Sequence, residues 1–391
     1  ERPSRADSTD GRCDRRGGHV TPRELRADVP ALTDETAYLN YGAHGPSPEY
    51  VVDAAASFLE SHEYEVATTD PYERAYETYE TVRERVASLL GADSEEIALT
   101  ESTTDGIARI AAAIDWEPGD VVVRTDLEHP AGTLPWQQLE ETVGIDVRVV
   151  ETTDGRLNYD AFTEAVADAR LVCFSAITWT HGTRLPVREL VEIANDAGAF
   201  TLVDAVQSPG QMPVDVHEWG ADAVAAAGHK WLLGPWGAGF LYVNRATAES
   251  LTPGSVGYRG VASTDGDAIE YAAGATRFEV GTTTPAAHVG LLEGIDAIES
   301  IGVEAVQDRI ETLTDRFKRR VGEERLLSPM AFESGLVTVD VADPAATVKR
   351  LGERGIVIRD LPHPDGVRVS IHAVSTEREI DAAADALREE P

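Results

Sequence analysis

Between residues 97 and 243 the sequence alternates short apolar runs, IALT, DVVVRT, DVRVVE, ARLVCFSAIT, AFTLVDAV, ADAVAAAG and GAGFLYV, with stretches of helical hydrophobic spacing. Runs with so few polar residues leave no face for water, so the sheet they build must be covered on both sides. The intervening helices supply that cover, and strand–helix–strand connections of this length join parallel neighbours. The predicted fold class is α/β: a mostly parallel seven-stranded sheet between helices. In such sheets ligands lie beyond the carboxyl ends of the strands. After about residue 298 the rhythm changes. A helical GVEAVQDRIETLTDRFKRRVGEE precedes the runs LVTVDV, GIVIRD and VRVSIH, each expected to be one strand, and a closing helix begins near Thr376. These readings divide the chain into a polar, disordered tail over 1–20, a large domain over 46–298, and a smaller α+β domain made of 21–45 with 299–391.

Between the sixth and seventh of these runs the composition singles out one residue. Of 34 lysines and arginines only three are lysine: Lys230, Lys318 and Lys349. Lys318 in LTDRFKRRVGEER and Lys349 in ATVKRLGERG lie in polar helical patterns and are expected to keep their charge in water. Lys230 instead interrupts AVAAAGHKWLLGPWGAGFLYV. A buried ammonium costs several kcal/mol unless it is paired or neutralised, roughly the penalty for a charge in low dielectric. Lysine, unlike arginine, forms imines, so amine chemistry is the expected reason for its presence.

The charge balance, 69 acidic residues against 34 basic, gives a net charge of -35 and disfavours nucleic acid and anionic membranes as partners. Acid spread along the whole chain with almost no lysine reads as a surface adapted to high salt. Two cysteines, Cys13 and Cys173, exclude a disulfide framework and a cysteine metal site. No apolar run approaches the length of a membrane span, and a cytoplasmic location is expected. The GAGF glycines do not complete a dinucleotide fingerprint, no GK[ST] phosphate loop occurs, and the ten histidines lack HExxH spacing, so no metal is expected.

Four stretches carry candidate chemistry, each with a plainer alternative. In TLVDAVQSPG, Asp204 ends an apolar strand, as a turn aspartate or as an acid that keeps a pyridine nitrogen protonated, with Gln207 one turn on as a donor to a phenolate oxygen. In IALTESTTDGIARIAAAI, Ser102, Thr103 and Thr104 either cap a helix or, with its free amides, bind a phosphate. His129 in RTDLEHPAG is a surface histidine or a ring that stacks on a flat cofactor and moves protons. Arg368 in DGVRVSIHAVST faces solvent or clamps a carboxylate. An acid and a lysine on neighbouring strand ends suit pyridoxal 5'-phosphate.

Together these stretches resemble the class V, fold-type I pyridoxal-phosphate enzymes, among them class V aminotransferases, cysteine desulfurases, selenocysteine lyases and isopenicillin N epimerase-like proteins. The resemblance runs from YLNYGAHGP to the C-terminus and is most specific in LVDAVQSPGQMPVDVHEWGADAVAAAGHKWLLGPWGAGFLYV. It implies that Lys230 is the Schiff-base lysine, Asp204 the partner of the pyridine nitrogen, Gln207 the residue near the phenolate oxygen and His129 the stacking ring. Thr103, Thr104 and His229 become phosphate contacts, and Arg368 the substrate-carboxylate arginine. Thr282 in RFEVGTTTPAAHVGL falls where the family reaches into a neighbouring subunit's phosphate site, which implies a homodimer with shared active sites.

Three departures qualify the likeness. No cysteine lies between Ser328 and Arg368, where desulfurases relay sulfur. Trp179 stands where they have an asparagine, as in the epimerase-like branch, and Ala227 replaces a phosphate-binding serine. These differences leave the reaction open; the expected activity, on generic grounds, is class V aminotransferase-like, on a small amino acid with a keto acid as the second substrate. A carbon–sulfur lyase without a persulfide cysteine, an amino-acid epimerase and a nonenzymatic binding module are the alternatives, in that order.

Overall fold

The computed structural model describes residues 20–33, 35–265 and 268–390; all but the last residue of the expected disordered tail, with Cys13, lies outside them. Val20, its last residue, donates its N–H to the Ser300 carbonyl. An N-terminal strand β1 (Ala37–Tyr38) is followed by the helices α1 (Glu49–Tyr64) and α2 (Pro71–Leu90). The central sheet comprises β2 (Ile97–Thr100), β3 (Val121–Thr125), β4 (Asp146–Val150), β5 (Leu171–Ser175), β6 (Phe200–Asp204), β7 (Ala223–Ala227) and β8 (Gly239–Val243). Their order across the sheet is β2-β8-β7-β6-β5-β3-β4. β8 runs antiparallel to both its neighbours, and the other pairings are parallel, so the sheet is mostly parallel with seven strands as the alternation predicts.

The apolar runs explain the burial. Every residue of β2, β5, β7 and β8 is buried, whereas the edge strand β4, read from the more mixed DVRVVE, is largely open. Two apolar clusters form, one on each face of the sheet. Val123, Phe174, Val203, Val224 and Phe240 point one way, and Val122, Cys173, Leu202, Ala225 and Leu241 the other, as strand alternation requires.

Beyond the sheet, helix α3 (Thr103–Ala113) follows β2, α4 (Val187–Asp196) precedes β6, and α5 (Pro285–Ile301) leads into α6 (Val303–Val321). The C-terminal part continues with β9 (Leu336–Val339), β10 (Ile356–Val357), β11 (Arg359–Leu361), β12 (Gly366–Ser370) and α7 (Glu377–Glu389). β9, β12 and β11 make an antiparallel three-stranded sheet with β12 in the centre. The run GIVIRD is two strands rather than one. It changes partner at Ile358, because β10 pairs with the N-terminal β1 while β11 turns back onto β12. No helix of the described residues is long and apolar enough to cross a membrane.

Lys318 departs from expectation. It is 1% exposed, not solvated, and its Nζ donates to the carbonyls of Pro329 at 2.7 Å and Ala331 at 3.0 Å. It lies on the face of α6 that also buries Thr314, Phe317 and Val321. Burial lowers its pKa to about 8, opposed by Asp315 and Glu333. Scarcity therefore marks two enclosed lysines. What distinguishes Lys230 is its neighbours.

Candidate active site

Asp204 and Lys230 lie at and beyond the carboxyl ends of β6 and β7. Asp204 ends β6, with Ser175 opposite it on β5 and Ala225 on β7. Its carboxylate is 4% exposed and accepts one hydrogen bond, from the Val206 N–H at 3.0 Å. Burial raises its pKa, and the Val206 amide and Lys230 hold it down. A buried acid supported by one amide is incomplete without a cation, and among the described residues Lys230 is the cation whose charge acts on it.

Lys230 sits in the loop after β7. That loop is closed by bonds from Gly234 N to Gly228 O and from Gly228 N to Ala238 O, and Leu233 within it has a positive φ of 55°. The N-terminal segment presses on it: Gly45 N donates to His229 O, and a Cβ on Gly45 would stand 1.9 Å from the Lys230 carbonyl oxygen, so glycine is required there. Trp231, the next residue, stacks with Tyr41 and His372, which fixes the loop between the two parts of the chain. Burial, then Arg368 and Arg359, lower the Lys230 pKa to about 7 against the pull of Asp204. The amine is thus largely neutral just above neutral pH, as nucleophilic or basic use requires.

His129 is half-buried where the chain leaves β3. Its Nδ1 accepts from the Ala131 N–H at 3.2 Å, so a proton on the neutral ring belongs to Nε2. Burial lowers its pKa to about 4, helped by Lys230, Arg359 and Arg368. The ring meets Trp179 edge-on at 5.4 Å. Arg368 is fully buried on β12, which settles its alternatives against solvent. Its Nη1 donates to the Trp179 carbonyl at 2.8 Å, while Nε and Nη2 have no partner. A Cβ on Gly42 would lie 2.9 Å from that Nη2, so the glycine keeps the slot beside it open.

The hydroxyl turn divides its labour. Ser102 caps α3 by accepting from Asp105 N at 3.1 Å, the Thr103 hydroxyl is buried without a partner, and Thr104 is exposed. His229, half-buried, stacks on His44 at 6.3 Å, and burial first and Lys230 next lower its pKa to about 4. Gln207 is already engaged: Nε2 donates to Gly42 O at 3.0 Å and Oε1 accepts from Trp231 Nε1 at 2.8 Å, leaving one N–H. Thr282 is exposed and bonded to the Tyr258 hydroxyl through both its N–H and its Oγ1. Ala227 ends β7 opposite Gly239, and Cys173 is buried within β5.

Two residues escaped the reading of the sequence. Arg359 faces Arg368 directly across β11 and β12, with its guanidinium 5.6 Å from the Trp179 ring centroid. The signal was an arginine at the end of IVI, one hairpin before Arg368. Glu128 is buried beside His129 and accepts from Thr125 Oγ1 and Ser175 Oγ, both at 2.6 Å, tying the exit of β3 to β5. Burial raises its pKa to about 7. Only its place next to the histidine gave any hint.

Fold and site together define a class: residues 37–383 match the family described as Aminotransferase class-V, and the chain belongs to this family of pyridoxal-phosphate-dependent enzymes. A probable cysteine desulfurase of Methanothermobacter thermautotrophicus is 34% identical, over 94% of this chain and 97% of that protein. The cysteine desulfurase of Haloferax volcanii is 31% identical over 95% and 92%. Among solved structures, apo cysteine desulfurase from Thermococcus onnurineus superposes with a TM-score of 0.87 at 28% identity, covering 95% of this chain and 98% of the other. The cystine C–S lyase C-DES, in complex with its product cysteine persulfide, gives 0.86 at 26% identity over 93% and 99%.

Proposed function

We propose that the protein uses Lys230 to carry pyridoxal 5'-phosphate and to remove the α-proton of a small amino acid held by Arg368. The observation that carries this is the Lys230 amine, with a pKa near 7, beside the buried Asp204 carboxylate and facing a buried arginine with unpartnered donors. The cofactor fits these residues. The buried acid suits its ring nitrogen, the orphaned Thr103 hydroxyl at the start of α3 suits its phosphate with Thr104 and His229, and Gln207 has one N–H left for its phenolate oxygen. When bound, it supplies a carbonyl electrophile and an electron-withdrawing protonated ring.

The residues then divide the work. Arg368 orients the substrate through a bidentate contact from Nε and Nη2. Lys230, as a neutral amine, would accept the proton, its pKa kept low enough for this near neutrality by burial first and by Arg368 and Arg359 next. His129 remains neutral, covers the ring and presents Nε2–H to the cleft. Asp204 would pair with the protonated ring nitrogen of the cofactor. The large domain over 46–298 and the small domain of 21–45 with 299–391 meet at this cleft in the same reading.

The activity we infer is class V aminotransferase-like, with a keto acid as the second substrate. A second reading, a carbon–sulfur lyase, is favoured by relatives named cysteine desulfurase and cystine C–S lyase. No cysteine between Ser328 and Arg368 is present to relay sulfur, so such a lyase would release it directly. We also infer a homodimer in which Thr282 completes the neighbouring phosphate site. The exposed apolar side chains of Tyr64, Tyr72, Trp236 and Tyr258 support a covered surface. Incubating purified protein with amino acids, with and without keto acids, tests the reaction: a new amino acid formed only with keto acid supports transamination, and sulfide or pyruvate formed without it supports the lyase.

A further inference from the structure

Resting on the reading that Arg368 takes the α-carboxylate, we infer a second anion subsite, formed by the Arg359 guanidinium and the Trp179 indole N–H, that selects amino acids whose side chain ends in an acid. Directly opposed residues of an antiparallel pair project from the same face, so the Arg359–Arg368 register puts two guanidiniums side by side. Thr338, opposite Arg368 on the other flank, donates to the Thr180 carbonyl, which fixes that face toward the segment carrying Trp179.

Like charges placed this way repel, and a protein ordinarily sets a carboxylate between them. Here it does not. Among the described residues no ion pair or side-chain hydrogen bond joins a carboxylate to Arg359 or Arg368, and neither is among those with further unstated contacts. The Trp179 Nε1–H is also buried without a partner. The free donors of this corner, Arg368 Nε and Nη2, the Arg359 fork and the indole N–H, exceed what one carboxylate can accept. Arg368 alone satisfies an α-carboxylate bidentately. The Arg359 guanidinium lies over the face of the Trp179 ring and the indole N–H at the edge of that ring, a charge and a directed donor that no carboxylate among the described residues accepts from. A carboxylate, sulfinate or sulfonate on the substrate's side chain supplies one.

The test uses holoenzyme and matched substrate pairs, aspartate against asparagine and cysteine sulfinate against cysteine, read as kcat/KM and as the amino-acid-induced change in the visible cofactor band. The acidic member of each pair is expected to be favoured ~10-fold or more, as one charge-assisted bidentate contact allows. Arg359→Gln is expected to reduce that ratio by ~10–100-fold, Trp179→Phe by a smaller factor, and Arg359→Lys to restore part of it. A parent enzyme indifferent to the second acid overturns the subsite. So does an Arg359→Gln loss equal for both members of a pair, which would mean that Arg359 shares the α-carboxylate. A protein that binds no cofactor, or whose band no amino acid perturbs, instead overturns the reading beneath it.

Discussion

At the scale of single residues, two enclosed lysines with depressed pKa values separate chemistry from packing. Lys230 has a pKa near 7 and an acid, two arginines and a histidine around it; Lys318 has a pKa near 8 and two backbone carbonyls as its hydrogen-bond partners. Only the neutral amine attacks a carbonyl, so cofactor uptake by apoprotein should accelerate as pH rises through about 7 and then level off. A rate still climbing steeply above pH 9 would instead mark an ordinary lysine, with a pKa of about 10.4. Lys318→Met removes both hydrogen bonds made by a buried ammonium and should cost ~1–3 kcal/mol in denaturant unfolding, with the cofactor band retained. The sequence made Lys230 conspicuous through its apolar neighbours. It hid Lys318, because the turn at Pro329–Ala331 that covers it is brought there by tertiary packing.

Elements decide where the site's arginines and histidine point. VRVSIH reads as an alternating, half-exposed strand, yet all five residues of β12 are buried because it lies between β9 and β11 and both its faces are covered. Alternation within one strand cannot reveal its place in a sheet, and the Arg359–Arg368 pairing depends on a hairpin register visible only in the fold. The strand ends that carry Asp204, Lys230 and His129 were legible, since each closes an apolar run. Glu128, which joins two strands through their hydroxyls, was not. Glu128→Ala should lower stability by ~1–3 kcal/mol, leaving the Thr125 and Ser175 hydroxyls without their acceptor, and should lower kcat by loosening the turn that holds His129. Glu128→Gln keeps an acceptor there and should lie closer to the parent on both counts. Equal losses in the two variants would show that the negative charge, not the tether, matters.

For the whole molecule the governing quantity is the net charge of -35. Repulsion among surface carboxylates extends over about 10 Å at 0.1 M salt and about 3 Å at 1 M. Exposed pairs such as Arg320–Asp385 between α6 and α7 contribute little, and weaken with the same screening. The excess of acid outweighs them, so the thermal midpoint should rise between 0.1 and about 1 M potassium chloride. A fall over that range would mean that the ion pairs, not the repulsion, dominate.

The same fold encloses both lysines and gives only one of them a strand-end acid, and reduction can distinguish them. Holoprotein treated with borohydride, digested and analysed by mass spectrometry should carry the reduced cofactor on the peptide containing Lys230 and on no other. An adduct on Lys318, or a protein that retains no cofactor after reduction, would contradict the assignment of Lys230 on which the proposed chemistry stands.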